Sequence, residues 1–166
     1  MKNLNNQEIE KIYKIVKAFD EGLLVNPQEE REQDYYDEKL LDKKGLKQIL
    51  RKLKSSTSKS SINQAEKEVL VRKYDTFNNI IDENVERSVA KAFNGKLTLE
   101  MEYFSMERAE FSKRKIDVYA KNSKYIVGYC HSRKDIRKFR ISRIGKAKIT
   151  SNKYDIPTNF NKKDYL

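Results

Sequence analysis

The chain is poor in the residues that build covalent, metal-bound or membrane structures. Its 166 residues include one cysteine, one histidine and no tryptophan. A single cysteine excludes an internal disulfide, and one cysteine with one histidine is too few for a structural zinc site. No stretch approaches the roughly 20 apolar residues of a membrane helix, and the first residues lack the apolar centre of a signal peptide. We therefore expect a soluble cytoplasmic protein without a membrane span, a metal or a cofactor.

The sequence also lacks the motifs of common enzymes. It has no paired-carboxylate pattern, no glycine-rich phosphate loop and no nucleophile with both a base and an orienting group. Cys130, with His131 as the only histidine, is more typical of a small buried apolar residue than of a nucleophile. We predict no catalytic residues and a protein that is not an enzyme.

What the chain has in excess is positive charge in one place. Between Lys113 and Lys148 there are 13 Lys and Arg residues and 2 Asp and Glu residues, a net charge of +11. The formal charge of the whole chain is also +11, so the rest of the sequence is neutral. Charge concentrated in this way destabilises a compact fold through self-repulsion, which indicates an anionic partner. The alternative is a solvated basic surface that binds nothing specific.

The first half of the sequence has helical periodicity. Apolar residues recur at three- and four-residue spacing from Asn5 to Asp20, and Gly22 follows where a helix would end. A second stripe runs from Leu46 to Leu53, and the Ser/Thr/Lys run that follows ends this helix. A third pattern, from Ile62 to Asn94, contains no Gly or Pro and predicts one long helix that Asn94-Gly95 ends.

The second helix carries a predicted basic surface formed by Lys43, Lys47, Arg51 and Lys54. The segment before it, from Gln28 to Asp42, has seven acidic and two basic residues and is predicted to be a loop or short helix. The basic helix and the long helix, with a predicted seven-residue linker, resemble a helix-turn-helix, although the usual turn has three or four residues. We favour a solvated surface paired with the acidic segment over a surface that binds duplex DNA.

After Gly95 the apolar period falls to two, as in a half-buried strand that begins at Leu97. Further strands are predicted near residues 115–119, 124–129, 137–142 and 146–150, with short polar turns between them. Closely spaced strands without crossover helices predict an α+β chain. A helical N-terminal region precedes a five-stranded antiparallel barrel or a strongly bent sheet.

A family resemblance rests on an arginine-rich run made of Cys130, Arg133, Asp135, Arg137, Phe139, Arg140, Arg143 and Ile144. This run resembles the WYL domain, a small Sm/SH3-like barrel of bacterial and phage regulators. Lys124-Tyr125-Ile126 stands where the family has its Trp-Tyr-Leu triplet, and only the tyrosine is kept. The helical periodicity predicts a helical region at residues 1–82, without a complete winged helix, and the resemblance implies a WYL-like barrel with its leading helix at residues 83–166. It also implies that the barrel senses a ligand, with single-stranded nucleic acid or a nucleotide as the leading candidates.

The residues of the run suggest how such a ligand would bind. If residues 137–144 form one strand, arginines project from both faces at a spacing of about 6–7 Å, which matches successive phosphates. Guanidinium groups bind phosphate through two parallel hydrogen bonds and stay charged at cellular pH. The predicted site consists of Arg114, Tyr125, His131, Arg133, Arg137, Arg140 and Arg143.

Aromatic rings near the arginines have two interpretations. Tyr125, Tyr129 and His131 would supply ring faces on which bases stack. For the two tyrosines, the alternative is a place in the core. For His131, the alternative is an ordinary surface position.

Two functions are consistent with these features. In the first, the protein regulates transcription or a defence system: a nucleic acid or nucleotide occupies the arginine site, and the helical region acts on duplex DNA or a partner protein. In the second, the protein is an accessory module that binds single-stranded RNA or DNA without operator recognition. A homodimer is also expected, because the apolar face from Ile62 to Phe93 exceeds what one small barrel covers and WYL regulators are commonly dimers.

Overall fold

A computed structural model describes residues 4–23, 43–75 and 81–166 of the chain. The chain divides into two compact units, residues 1–73 and residues 74–166. None of the helices in the described ranges is long and apolar enough to cross a membrane. The acidic segment from Gln28 to Asp42, predicted to be a loop or short helix, lies outside the described residues.

In its described residues, the first unit contains three helices, α1 (Asn6–Asp20), α2 (Lys43–Ser55) and α3 (Lys59–Lys73). A capping box starts α1: the Asn5 side chain accepts from the Glu8 N–H at 3.0 Å, and the Glu8 carboxylate accepts from the Asn5 N–H at 2.8 Å. Gly22 follows α1 with a φ of 71°, a conformation that glycine adopts without strain. The predicted first helix is confirmed.

The buried faces of these helices meet in one small core, which contains Tyr13, Leu50, Ile62 and Ala65. The Tyr13 hydroxyl donates to Glu66 Oε1 at 2.7 Å, and Lys54 Nζ lies 2.6 Å from the same oxygen. Burial and the Glu66 carboxylate both raise the pKa of Tyr13. The tyrosine therefore stays protonated and ties α1 to α3.

The connection between α2 and α3 is shorter than predicted. Only residues 56–58 separate the two helices. Ser58 Oγ accepts a hydrogen bond from the Ser61 N–H at 3.1 Å, as an N-cap residue does. The serine-rich run is therefore partly a helix start, and the predicted seven-residue linker is wrong. Three residues is a usual length for the turn of a helix-turn-helix.

The second unit contains α4 (Glu83–Gly95) followed by β1 (Leu97–Ser105), β2 (Glu110–Lys121), β3 (Tyr125–Cys130), β4 (Asp135–Arg140) and β5 (Ile144–Lys153). Val85, Val89 and Ala92 of α4 are buried against one face of the sheet. The α+β class and the five predicted strands are confirmed.

The predicted single helix from Ile62 to Asn94 is wrong, because α3 and α4 are separate helices. Asp82 starts α4: its Oδ1 accepts from the N–H groups of Asn84 at 2.8 Å and Val85 at 3.2 Å. The apolar stripe is divided between the cores of the two units. The expected dimer rested in part on one unbroken helical face, and the described residues of this stripe belong to two helices instead.

The sheet is open, in the order β4-β3-β2-β1-β5, with every neighbouring pair antiparallel. Among the described strands β4 and β5 form no ladder with each other, so the predicted closed barrel is wrong. The sheet is nevertheless strongly bent, since the rings of Tyr103 on β1 and Phe139 on β4 lie 5.1 Å apart. Register shifts in the β1–β5 and β2–β3 pairs supply bulges of the kind that bend strands.

The strand predicted from Arg137 to Ser142 ends at Arg140. A single 3₁₀ turn, Ile141–Arg143, follows it. The Ile141 N–H donates to Lys124 O at 2.9 Å, and the Ile141 side chain is buried. The turn therefore anchors the chain to the core, and the alternation assumed for this segment fails after Arg140.

Gly128 on β3 provides a test of how closely β2 and β3 approach each other. A Cβ atom at this position would lie 2.0 Å from the Asp117 carbonyl oxygen, so β2 would have to move. We expect Gly128→Ala to lower the free energy of unfolding by about 2 kcal/mol, measured by urea denaturation. Gly95→Ala is the control, because its Cβ would meet only the Leu97 side chain at 3.3 Å. An equal effect of both substitutions would contradict the close approach of β2 and β3.

Candidate ligand site: an arginine pocket

The two faces of the sheet have different chemistry. Cross-strand partners share a face of the sheet. The register places two such pairs on one face: Met101 with Arg114, and Gly128 with Arg137. This face also bears Ile116 and the buried core, and we call it the core face. The opposite face, called the outer face, bears the partners Glu102 and Lys113 and, on β3, Tyr125 and Tyr129.

A pocket of about 400 Å³ lies on the second unit, and four of the predicted arginines line it: Arg114, Arg133, Arg137 and Arg143. They come from β2, from the turn after β3, from β4 and from the 3₁₀ turn, respectively. Chain segments that are distant in sequence thus contribute to one site. Of the described residues that line this arginine pocket, Glu107 is the one acid.

The arginines have few partners of opposite charge. Arg137 Nε lies 3.4 Å from Asp135 Oδ2, an exposed pair that contributes little stability. Arg114 Nη1 donates to Ser132 Oγ at 2.8 Å. No carboxylate among the described residues lies within ion-pair distance of Arg114, Arg133 or Arg143. The pocket therefore keeps most of its positive charge.

Arg143 has a buried donor without a partner. Its Nε is inaccessible to solvent and forms no hydrogen bond with any described residue. A buried N–H without an acceptor costs about 1–3 kcal/mol, so most such groups in proteins are satisfied.

Beside the arginines, the pocket has an aromatic wall. The rings of Tyr103 and Phe139 meet edge to face at 5.1 Å, and the Arg140 N–H donates to the Tyr103 hydroxyl at 3.2 Å. Met106 and Ser112 also line the pocket. Sequence reasoning missed Tyr103, Met106, Glu107 and Ser112 as pocket residues. Only Tyr103 carried a signal, because the period of β1 places it on the same face as Met101.

Tyr125, His131 and Arg140 do not line the pocket, although they were predicted to share a site with the arginines. Tyr125 is the cross-strand partner of Arg140 on the outer face, and Lys138 Nζ lies 4.7 Å from the centre of its ring. His131 Nε2 lies 3.0 Å from Asp117 Oδ2 and the ring packs edge to face on Tyr129. The structure therefore divides the predicted residues between the two faces.

The chain after β5 covers part of the outer face. The Tyr154 hydroxyl donates to Val118 O, and the Phe160 ring packs on Tyr119 with centroids 5.3 Å apart. Burial raises the pKa of Tyr154 to about 12, so its hydroxyl stays a donor at neutral pH. Lys138 Nζ donates to Tyr165 O at 2.6 Å. These contacts give several outer-face side chains a packing role.

The outer face also neutralises part of the charge excess. Glu100 is the cross-strand partner of Lys115 and Lys148, and Glu102 is the partner of Lys113 and Lys146. Lys115 Nζ lies 3.4 Å from Glu100 and Lys146 Nζ lies 3.7 Å from Glu102. Both glutamates lie outside the segment from which the net charge of +11 was counted. These glutamates therefore offset part of the lysine charge on the outer face.

Two of the four residues predicted to form a basic surface on α2, Lys47 and Arg51, line a common groove. Lys44, Lys47, Gln48 and Arg51 line a groove of about 450 Å³. Lys54 forms an ion pair with Glu66, and the side chain of Lys43 lies outside the described residues. No ion pair with another described residue involves Lys47 or Arg51.

The fold and the pocket define the second unit as a small α+β domain with an arginine-lined cavity. Residues 84–149 match the family model of the WYL domain, and this stretch includes all four pocket arginines. The chain therefore carries a WYL domain, and the resemblance seen in the sequence is confirmed. A WYL domain supports the regulatory, ligand-sensing role that the resemblance implies.

Among solved structures, the chain is similar to the proteasome accessory factor B/C (PafBC) of Arthrobacter aurescens. The similarity covers 91% of this chain and 21% of that chain, with 18% sequence identity and a TM-score of 0.36. This chain thus spans about a fifth of the length of that protein. No curated protein matches the chain.

The unpaired donor of Arg143 leads to a stability prediction. Arg143→Met removes the buried N–H and keeps an unbranched apolar stem, so we expect the free energy of unfolding to stay unchanged or rise by up to about 1 kcal/mol. Arg114→Met removes the hydrogen bond to Ser132, so the free energy of unfolding should fall by about 0.5–1 kcal/mol. Urea denaturation measures both. A loss of more than about 1 kcal/mol in Arg143→Met would show that Arg143 serves the fold.

Proposed function

We propose that the chain is a regulatory protein of the WYL type that binds single-stranded nucleic acid or a nucleotide in the arginine pocket. It acts by binding and not as an enzyme. The role lies in transcription or in a defence system, and ligand binding in the second unit is passed to duplex DNA or a partner protein by the helical unit. An accessory module that binds single strands alone is the alternative.

The observation that carries this proposal is the convergence of Arg114, Arg133, Arg137 and Arg143 on one pocket. Guanidinium groups match phosphate in shape and charge, and they remain charged at any cellular pH. The aromatic wall beside the arginines supports a ligand that also has a flat apolar part.

The double substitution Arg137→Ala with Arg143→Ala tests the site. We expect affinity for a fluorescent single-stranded oligonucleotide to fall at least tenfold in fluorescence anisotropy. The slope of log K against log salt should become shallower by about 1 to 1.5, because each lost phosphate contact removes about 0.7 for a single strand. Circular dichroism should show an intact fold.

Lys146→Ala with Lys148→Ala is the matched control. It lowers the net charge by the same two units, but on the outer face, where these lysines neighbour glutamates across the strands. We expect a loss of less than about threefold, since general attraction alone is reduced. Equal losses in the two double variants would contradict the pocket as the binding site.

A second candidate function is duplex DNA binding by α2 and α3, which the three-residue connection favours. Asn63 and Gln64 are exposed on α3. Their amide groups suit the edges of bases in the major groove. Lys47 and Arg51 on α2 would contact the phosphates beside it.

Gel shifts with duplex and single-stranded DNA separate the regulator from the accessory module. If the helical unit binds duplex DNA, Lys47→Ala with Arg51→Ala should weaken duplex binding at least tenfold and leave single-strand binding unchanged. Lys11→Ala with Arg72→Ala, exposed residues on α1 and α3, is the control with the same charge change. Salt-sensitive binding to single strands alone would favour the accessory module.

A further inference from the structure

Glu107 is an acidic residue in a pocket whose arginines suit an anion. It lies in the turn between β1 and β2 and lines the same cavity as the four arginines. Its carboxylate forms no hydrogen bond or ion pair with any described residue. The neighbouring Glu110 instead pairs with Arg108, at 3.6 Å. Glu107 is thus a free acceptor beside a cluster of donors.

A carboxylate repels a phosphate unless the same ligand offers it hydrogen-bond donors. The ligand that fits both groups carries an anionic end and, a few ångströms away, an uncharged part with N–H groups. A nucleotide has this arrangement, with the phosphate at one end and the base at the other. The ring of Tyr103 and the thioether of Met106 line the cavity as well and suit the face of a base.

The chemistry of a carboxylate then distinguishes among the bases. An ionised carboxylate only accepts hydrogen bonds, through two oxygens. The Watson–Crick edge of guanine presents two adjacent donors, N1–H and the N2 amino group, which match both oxygens. Adenine and cytosine each place an acceptor beside their amino group, and thymine and uracil flank one N–H with carbonyl oxygens. Guanine is therefore the base that Glu107 would bind through two bonds.

We propose that the arginine pocket selects a guanine nucleotide unit, with its phosphate on the arginines and the donor edge of its base on Glu107. This inference rests on the proposed function and adds base preference to it. The pocket volume of about 400 Å³ is in the range of sites for ligands of this size.

The test compares thymine oligonucleotides that carry a single guanine or a single adenine at the centre. For the unmodified protein we expect the guanine strand to bind at least tenfold more tightly in fluorescence anisotropy, since hydrogen bonds to charged groups are among the strongest in proteins. Guanosine monophosphate should also displace the strand at a tenfold lower concentration than adenosine monophosphate.

Glu107→Gln and Glu110→Gln form a matched pair on one hairpin. Both remove one negative charge, so both should bind the adenine strand somewhat more tightly. Glu107→Gln places an N–H donor where an acceptor is required, and the guanine-to-adenine ratio should fall below threefold. Glu110→Gln should keep the full ratio, because Glu110 does not line the pocket.

The outcomes separate this inference from the proposed function. Tight binding with equal affinity for both strands would overturn the guanine preference and leave the pocket intact. Loss of the ratio in Glu110→Gln as well would overturn the role of Glu107, because charge alone would then explain the effect. Failure of every oligonucleotide and nucleotide to bind would overturn the proposed function itself.

Discussion

The arginine pocket depends on the bend that brings β4 back towards β1. Two strands separate them in the sheet, so a flat sheet would hold them roughly 14 Å apart. Instead, the rings of Tyr103 and Phe139 meet, and the Arg140 N–H donates to the Tyr103 hydroxyl. This contact gathers arginines from β2, β4 and the 3₁₀ turn around one cavity. Without the bend, the same side chains would line an extended surface.

The bend also separates two kinds of positive charge. On the outer face, lysines of β2 and β5 lie across from Glu100 and Glu102 and form a charged ladder. On the core face, the arginines have few such partners, and Arg143 keeps an unpaired buried donor. An anion bound in the pocket would relieve the repulsion among these arginines and would thereby stabilise the fold.

The helical part shows why local signals are easily misread. Ser58 and Asp82 each cap a helix, but their side chains look like ordinary polar residues within a serine-rich run and a helical pattern. A cap is defined by a backbone change at one residue, whereas periodicity averages over many. The turn before α3 and the break before α4 were missed for this reason. The strand prediction failed at Arg140 in the same way, because buried Ile141 anchors a turn there.

The sequence by itself determined the α+β class, the first helix, the five strands and the WYL domain, because these depend on periodicity and on a local run of residues. It also identified the four arginines of the pocket. Only the tertiary structure decided that Tyr125 and His131 lie on the other face, that Glu107 joins the arginines and that the sheet stays open. Those features depend on register and curvature, which are set by contacts between residues far apart in the chain.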